Sequence, residues 1–310
     1  MSGRRFSGAL LALLVLALGA CTTPQTAAVI EAPGDLPAKA AVPDVPFFPQ
    51  EDYYCGPAAL ATVLTWSGRQ TAPEELAARV YTPERQGTLQ NDILAAARRE
   101  GRLAVPLGSL RDVMAEVAAG HPVLVFQNLA LELYPQWHYA VAVGYDLERQ
   151  EITLRSGREA ERVTSLDTFE RTWERGDYWA LVVLRPNQLP VSAEKRAVLR
   201  AAAGLERAGR GPEAAAAYST ILVRWPGSFA ALMGLGNVWF GDGDMAGAEL
   251  AYRQAIDASP ERAEAWNNLA YVLDAEGHRK DAVAAAREAV RLAPGNEATY
   301  LETLQEVSGG

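Results

Sequence analysis

The chain is nearly without cysteine, with two in 310 residues, Cys21 and Cys55. They sit in very different contexts, so no disulfide framework is expected. Histidine is equally scarce: His121, His138 and His278 are dispersed with no cysteine beside them, and no metal-ligand spacing results. Neither a structural or catalytic metal nor another cofactor is expected. Basic residues are outnumbered, at a net charge of −9, and no polybasic patch appears, which argues against nucleic acid as a partner. A phosphate-cradling glycine loop and a serine nucleophile elbow are both missing. What is present is ordinary globular composition, 49% hydrophobic and 22% charged, over a length that suits about two domains.

The longest apolar run, Ala9 to Ala20, is too short for a bilayer span, which takes about 20 residues. It follows Arg4 and Arg5 and ends Leu18-Gly19-Ala20-Cys21. A positive start, a short apolar stretch and small residues at its end describe a secretory signal peptide. The ending resembles the lipobox of bacterial lipoproteins. That resemblance implies a signal peptide over 1–20, cleavage, and a lipidated Cys21 that anchors the chain to a membrane through its acyl chains. Thr22, where an Asp would imply inner-membrane retention, implies the outer membrane facing the periplasm. The alternative is a plain signal peptide with a chance cysteine. Residues 21–44, rich in Ala, Thr and Pro without periodicity, read as an extended tether.

Residues 45–186 open with helical patterns and close with strand-like ones. Helices are expected over Cys55–Trp66, Pro73–Val80 and Leu89–Arg99, and around Leu110, Val113, Met114 and Val117. Strands are expected over Pro122–Phe126, His138–Gly144, Glu151–Leu154 and Tyr178–Leu184. This order implies an α+β domain with an antiparallel sheet. Residues 187–194, within a proline-bearing stretch, read as a linker.

From residue 195 to 310 the composition turns alanine-rich and helical. Pro226, Pro260 and Pro294 recur 34 residues apart, the period of tetratricopeptide repeats. Leu232, Leu235, Gly236, Trp239, Ala248, Tyr252 and Ala255 fit the pattern in the middle unit, and Trp266, Leu269, Ala270, Leu273, Ala282 and Ala289 in the last. The first unit keeps Leu205, Ala214, Tyr218 and Pro226. Small residues such as Gly236 and Ala248 let paired helices approach, and large ones fill the gaps between units. About three units and a capping helix are expected; another alanine-rich bundle is the alternative. The resemblance implies a protein partner on the concave face.

The chemistry gathers at Gln50, Cys55 and His138. Gln50 stands five residues before Cys55, Gly56-Pro57 follow, and a helical run begins. A helix N-terminus directs N–H groups and a positive dipole end at the sulfur, which lowers a thiol pKa. A nearby imidazolium would lower it further and later protonate the leaving amine. An attack on an amide would also create an oxyanion, to which the Gln50 side-chain amide and the Cys55 N–H could both donate. The bland alternative is a small buried hydrophobe. Together, Gln50-Glu51-x-x-x-Cys55-Gly56 and the strand Trp137-His138-Tyr139-Ala140-Val141-Ala142-Val143-Gly144-Tyr145-Asp146 resemble the double-glycine leader peptidases, within the papain-like cysteine peptidases. The resemblance implies a papain-like domain with Cys55 as nucleophile, His138 as base and Gln50 at the oxyanion. The family's acidic orienter of the histidine is replaced by Ser156, with Gly157 for the usual proline. Asn128 and Asp146 are the other candidate orienters.

The fold expected is therefore an α+β papain-like cysteine peptidase domain followed by an all-α tetratricopeptide domain. The function expected is a membrane-anchored periplasmic thiol peptidase acting on a protein or peptide. Two rivals stay open. One is a binding or assembly scaffold on a retired peptidase fold, motivated by Ser156. The other is acyl or amide transfer by the same thiol.

Overall fold

A computed structural model describes residues 23–49, 54–82, 87–131, 133–295 and 297–309. Cys21 and Gln50 lie outside the described residues. Among those described, no helix is long and apolar enough to cross a membrane.

The N-terminal domain is built around one buried helix. The run Cys55–Trp66 is almost wholly apolar, carries its proline in the first turn, where a missing N–H costs nothing, and is closed by Gly68 at φ +88°. We number helices and strands in chain order. Helix α1 spans Pro24–Glu31, α2 Cys55–Trp66, α3 Pro73–Val80, α4 Gln90–Arg99, α5 Leu110–Ala118 and α6 Leu166–Glu174. The strands are β1 Lys39–Ala41, β2 Tyr81–Thr82, β3 Gly87–Thr88, β4 Leu103–Leu107, β5 Val123–Asn128, β6 Trp137–Asp146, β7 Glu151–Ser156, β8 Glu159–Ser165 and β9 Ala180–Leu184. The main sheet runs β4-β9-β5-β6-β7-β8, with β1 added to the far end of β6, and every pairing is antiparallel. β2 and β3 form a separate small hairpin.

Helix α2 buries Leu60, Val63 and Leu64 completely, and β6 of the sheet packs against it. Truncating one such leucine to alanine costs about 2–5 kcal/mol. The expected helices α2 and α3 match their ranges, and α4 begins one residue late. The four expected strands form as β5, β6, β7 and β9. Strands β4 and β8 and helix α6 were not anticipated. β8 reads Glu-Ala-Glu-Arg-Val-Thr-Ser and is exposed along most of its length, so it carries no apolar alternation.

The segment expected as a tether is instead folded onto the domain. Residues 24–31 form α1, with Thr26 and Val29 buried. The fully buried Glu170 on α6 accepts from the backbone N–H of Gln25 at 2.9 Å and of Thr26 at 2.5 Å. A carboxylate at the first turn of a helix satisfies donors that have no intrahelical partner and complements the helix dipole. Lys39–Ala41 then pairs with Gly144–Asp146. These partners come from more than 100 residues away, so local composition carried no sign of them.

The C-terminal region consists of α7 Lys195–Arg207, α8 Gly211–Arg224, α9 Phe229–Gly241, α10 Met245–Ala258, α11 Ala263–Ala275, α12 Arg279–Arg291 and α13 Ala298–Gly309. They make three helix pairs and a cap, as the 34-residue period implies. Gly236 faces the Tyr252 ring so closely that a Cβ there would lie 2.5 Å from it, and Gly234 is pressed against Tyr218 in the same way. The stretch expected as a linker is fixed rather than free. Buried Glu116 accepts from the Ser192 N–H at 2.8 Å and hydroxyl at 2.6 Å, and Ala193 is buried. Helix α7 packs on β4, so one apolar core runs from the sheet through α7 and α8 into α9.

Candidate active site

Cys55 is the first residue of α2 and His138 the second of β6. The nucleophile candidate thus comes from the helical lobe and the base candidate from the sheet. The structure sets the Cys55 sulfur against the backbone of β6 next to His138, where the N–H groups of Tyr139, Gly56 and Cys55 itself favour the thiolate. Gly56 is needed for this approach, because a Cβ there would lie 2.7 Å from the Thr88 side chain on β3. The Tyr139 hydroxyl donates to the Thr88 carbonyl at 2.9 Å and ties β6 to the same hairpin.

His138 Nε2 is 2.9 Å from Ser156 Oγ. Ser156 is buried at the end of β7, one diagonal step across from His138 on the same sheet face. The position where the sequence lacks an acid therefore does hold a group bonded to the imidazole. The two other candidates are engaged elsewhere. Asn128 Oδ1 accepts from the Ala130 and Gln136 N–H groups and shapes the β5–β6 loop. Asp146 sits at the far end of β6, bonded to the Arg149 N–H and facing Lys39.

The protonation of the pair differs from the sequence-based expectation. Burial pushes the Cys55 thiol above its ordinary range, and the three backbone N–H groups offset only part of this. Burial, reinforced by the cationic Arg162, lowers His138 to about 4. The helix N-terminus acts in the expected direction, but desolvation exceeds it, because a charged thiolate or imidazolium loses its hydration here. The resting pair is neutral thiol and neutral imidazole. In the tautomer that donates Nε2–H to Ser156, Nδ1 keeps its lone pair and is free to accept a proton.

The remaining histidines serve structure. His121 Nδ1 lies 2.7 Å from the buried Glu116 carboxylate, in the turn before β5. His278 is an exposed residue in the turn before α12.

Residues 42–180 match the sequence profile of the Peptidase_C39 like family, and residues 199–263 and 263–296 match Tetratricopeptide repeat profiles. No curated protein matches the chain. Among solved structures, a C39-like peptidase from Bacillus anthracis is 19% identical, covers 47% of this chain and 97% of its own, and superposes with a TM-score of 0.42. A tetratricopeptide domain from Aspergillus fumigatus is 16% identical, covers 38% of this chain and 78% of its own, with a TM-score of 0.36.

Proposed function

Because the chain joins a Peptidase_C39-like domain to tetratricopeptide repeats, we propose that it is a thiol peptidase that cleaves peptide bonds in a protein or peptide recruited by its repeats. The observation that carries this reading is the Cys55–His138–Ser156 arrangement: a thiol held by the backbone of β6, and a histidine on that strand bonded to Ser156 at 2.9 Å. A merely structural cysteine at a helix start requires no oriented histidine.

The chemistry follows from the neutral resting state. His138 Nδ1 takes the thiol proton as the Cys55 sulfur bonds to the substrate carbonyl carbon. The imidazolium so formed passes the proton to the leaving amine as the C–N bond breaks. Water, deprotonated by the same imidazole, then releases the acyl group from sulfur. Ser156 can accept from Nε2–H in every step, but it brings no negative charge to the imidazolium. Gln50 and the Cys55 N–H are assigned to the oxyanion on sequence spacing; each such donor is worth about 3–4 kcal/mol of barrier. The repeats line an open cavity of about 550 Å³ with Lys195, Tyr218, Phe229, Asn237, Arg262 and Glu264, a mixed apolar and charged surface suited to a polypeptide. Cys21 is assigned as the lipidated residue that holds the chain at the periplasmic face of the outer membrane. Thr23 already bonds to Asp167 on α6, so such an anchor would hold the domain within about 7 Å of the acylated residue.

The test is proteolysis by the purified protein with and without Cys55→Ala. Loss of cleavage is expected; unchanged cleavage overturns the assignment. A second reading, a scaffold on an idle peptidase fold, is favoured by the upward shift of the thiol and the downward shift of His138. It predicts no thiol-dependent turnover of any peptide, with partner binding by the repeats intact.

A further inference from the structure

Beyond the strand that holds Ser156, the outer strand of the sheet carries a charge that the fold does not use. β8 pairs with β7 and is exposed along most of its length. Two arginines of this hairpin have opposite fates. Arg155 is engaged: it donates to the Ala160 and Val45 carbonyls and faces Glu161 at 3.9 Å. Arg162 is exposed and, among the described residues, makes no hydrogen bond and no ion pair.

The register sets Arg162 on the side of the sheet that holds the imidazole. It pairs directly with Leu154, and residues paired across an antiparallel ladder share a face. Leu154 and Ser156 alternate on the buried face of β7, and Ser156 carries the bond to His138. The Arg162 charge accordingly acts on His138 and opposes its protonation. Glu159, across the hairpin from Ser156, makes no ion pair with Arg162. An unpaired cation beside a base that must become an imidazolium works against the reaction. It ceases to do so once an anion is bound to it, and the molecule that the proposed reaction brings to this place is the substrate.

We infer that Arg162 is a specificity residue of the site, and that the substrate is an acidic peptide whose carboxylate, close to the cleaved bond, it binds. The inference rests on the peptidase reading of Cys55 and His138 and names its substrate class. A guanidinium presents a planar fork of N–H donors that fits a carboxylate, and an unpaired one has the whole fork to offer. A bound carboxylate also cancels the charge that opposes the imidazolium, so an acidic substrate gains in turnover as well as in binding. Either a side chain or the C-terminus of the peptide supplies that group, and the peptides below separate the two.

The test compares quenched fluorescent peptides of equal length on the full chain. With both ends blocked, the residues flanking the central bond are Glu, Gln or Lys; a further peptide keeps Gln and leaves a free C-terminus shortly after the bond. Turnover is paired with binding of the same peptides to Cys55→Ala by fluorescence anisotropy. A carboxylate should raise kcat/KM about tenfold over the blocked Gln peptide, the scale of one hydrogen bond to a charged group. A gain confined to the Glu peptide assigns the carboxylate to a side chain, a gain confined to the free end assigns it to a C-terminus, and either supports the inference. Arg162→Gln should bring the ratio to within about twofold of one with its urea midpoint unchanged, as for a surface substitution. Arg162→Glu should reverse the preference in favour of Lys, a result that a merely structural arginine does not give. Equal binding and equal cleavage of all the peptides, or a Glu preference that survives in Arg162→Gln, would overturn the inference and leave the peptidase reading standing. Arg162-dependent binding of the Glu peptide to Cys55→Ala, with no cleavage by the intact protein, would keep the carboxylate site and overturn the peptidase reading.

Discussion

The two halves of the molecule achieve order by different means. In the N-terminal domain, distant segments are joined by hydrogen bonds of buried polar groups: Glu170 to the start of α1, Glu116 to Ser192, Gln127 to Thr172, and Ser156 to His138. In the repeats, neighbouring helices are joined by size, with Gly234 and Gly236 beneath Tyr218 and Tyr252 and alanines along the shared faces. A polar pair specifies which residue meets which across a long stretch of chain. A size match needs only a neighbour and can be repeated every 34 residues. The half suited to chemistry is the one that can hold a few side chains in fixed relation.

This contrast predicts different responses to substitution. The largest effect is expected at Glu170→Ala, which removes the acceptor of two buried N–H groups and releases α1. Stability should fall by about 3 kcal/mol, since bonds to a charged group contribute about 1.5–3 kcal/mol each and part is recovered by solvent. Urea unfolding measures this, and a midpoint within error of the parent protein would show that α1 is not held this way. In the repeats, Gly236→Ala should cost about 1–3 kcal/mol through overpacking against Tyr252. The same change in a Tyr252→Ala background should cost far less; an unchanged cost would mean that helix spacing, not the ring, sets the requirement.

Smaller effects follow at the site. Ser156→Ala should lower kcat about tenfold with little change in KM, as expected for an orienting group without charge. Ser156→Asp should raise the His138 pKa and move the acid limb of the kcat/KM profile upward. In the parent protein that limb should lie near pH 4, the value to which burial and Arg162 bring His138. The sign for stability is fixed by the same shift. His138 is depressed from 6.5 to about 4 in the folded protein, so its contribution is fully present above pH 6.5 and lost as pH falls through 4. Comparing acid unfolding of the parent and His138→Gln isolates this term, and identical profiles would contradict it.

Much of this was legible in the sequence, for reasons that differ by region. The repeat period, α2 with Cys55 at its start, and β6 with His138 are local patterns. Ser156 was legible as a position because an expected acid was missing there, and the structure shows the bond to His138 that the sequence could only suggest. The folding of residues 24–41 onto the domain was not legible, since its partners Glu170 and Asp146 lie far along the chain. Nor was the charge state of the site. A helix start reads as thiolate-stabilising, whereas desolvation depends on everything packed around Cys55.

The claim that this site rests as a neutral pair is tested most directly by the pH dependence of Cys55 alkylation, with and without His138→Ala. The account predicts an alkylation pKa above the ordinary value of about 8.5 that hardly changes when His138 is removed, while peptide turnover is lost. A pKa well below about 8.5 that rises on losing His138 would reveal a preformed thiolate–imidazolium pair and contradict it.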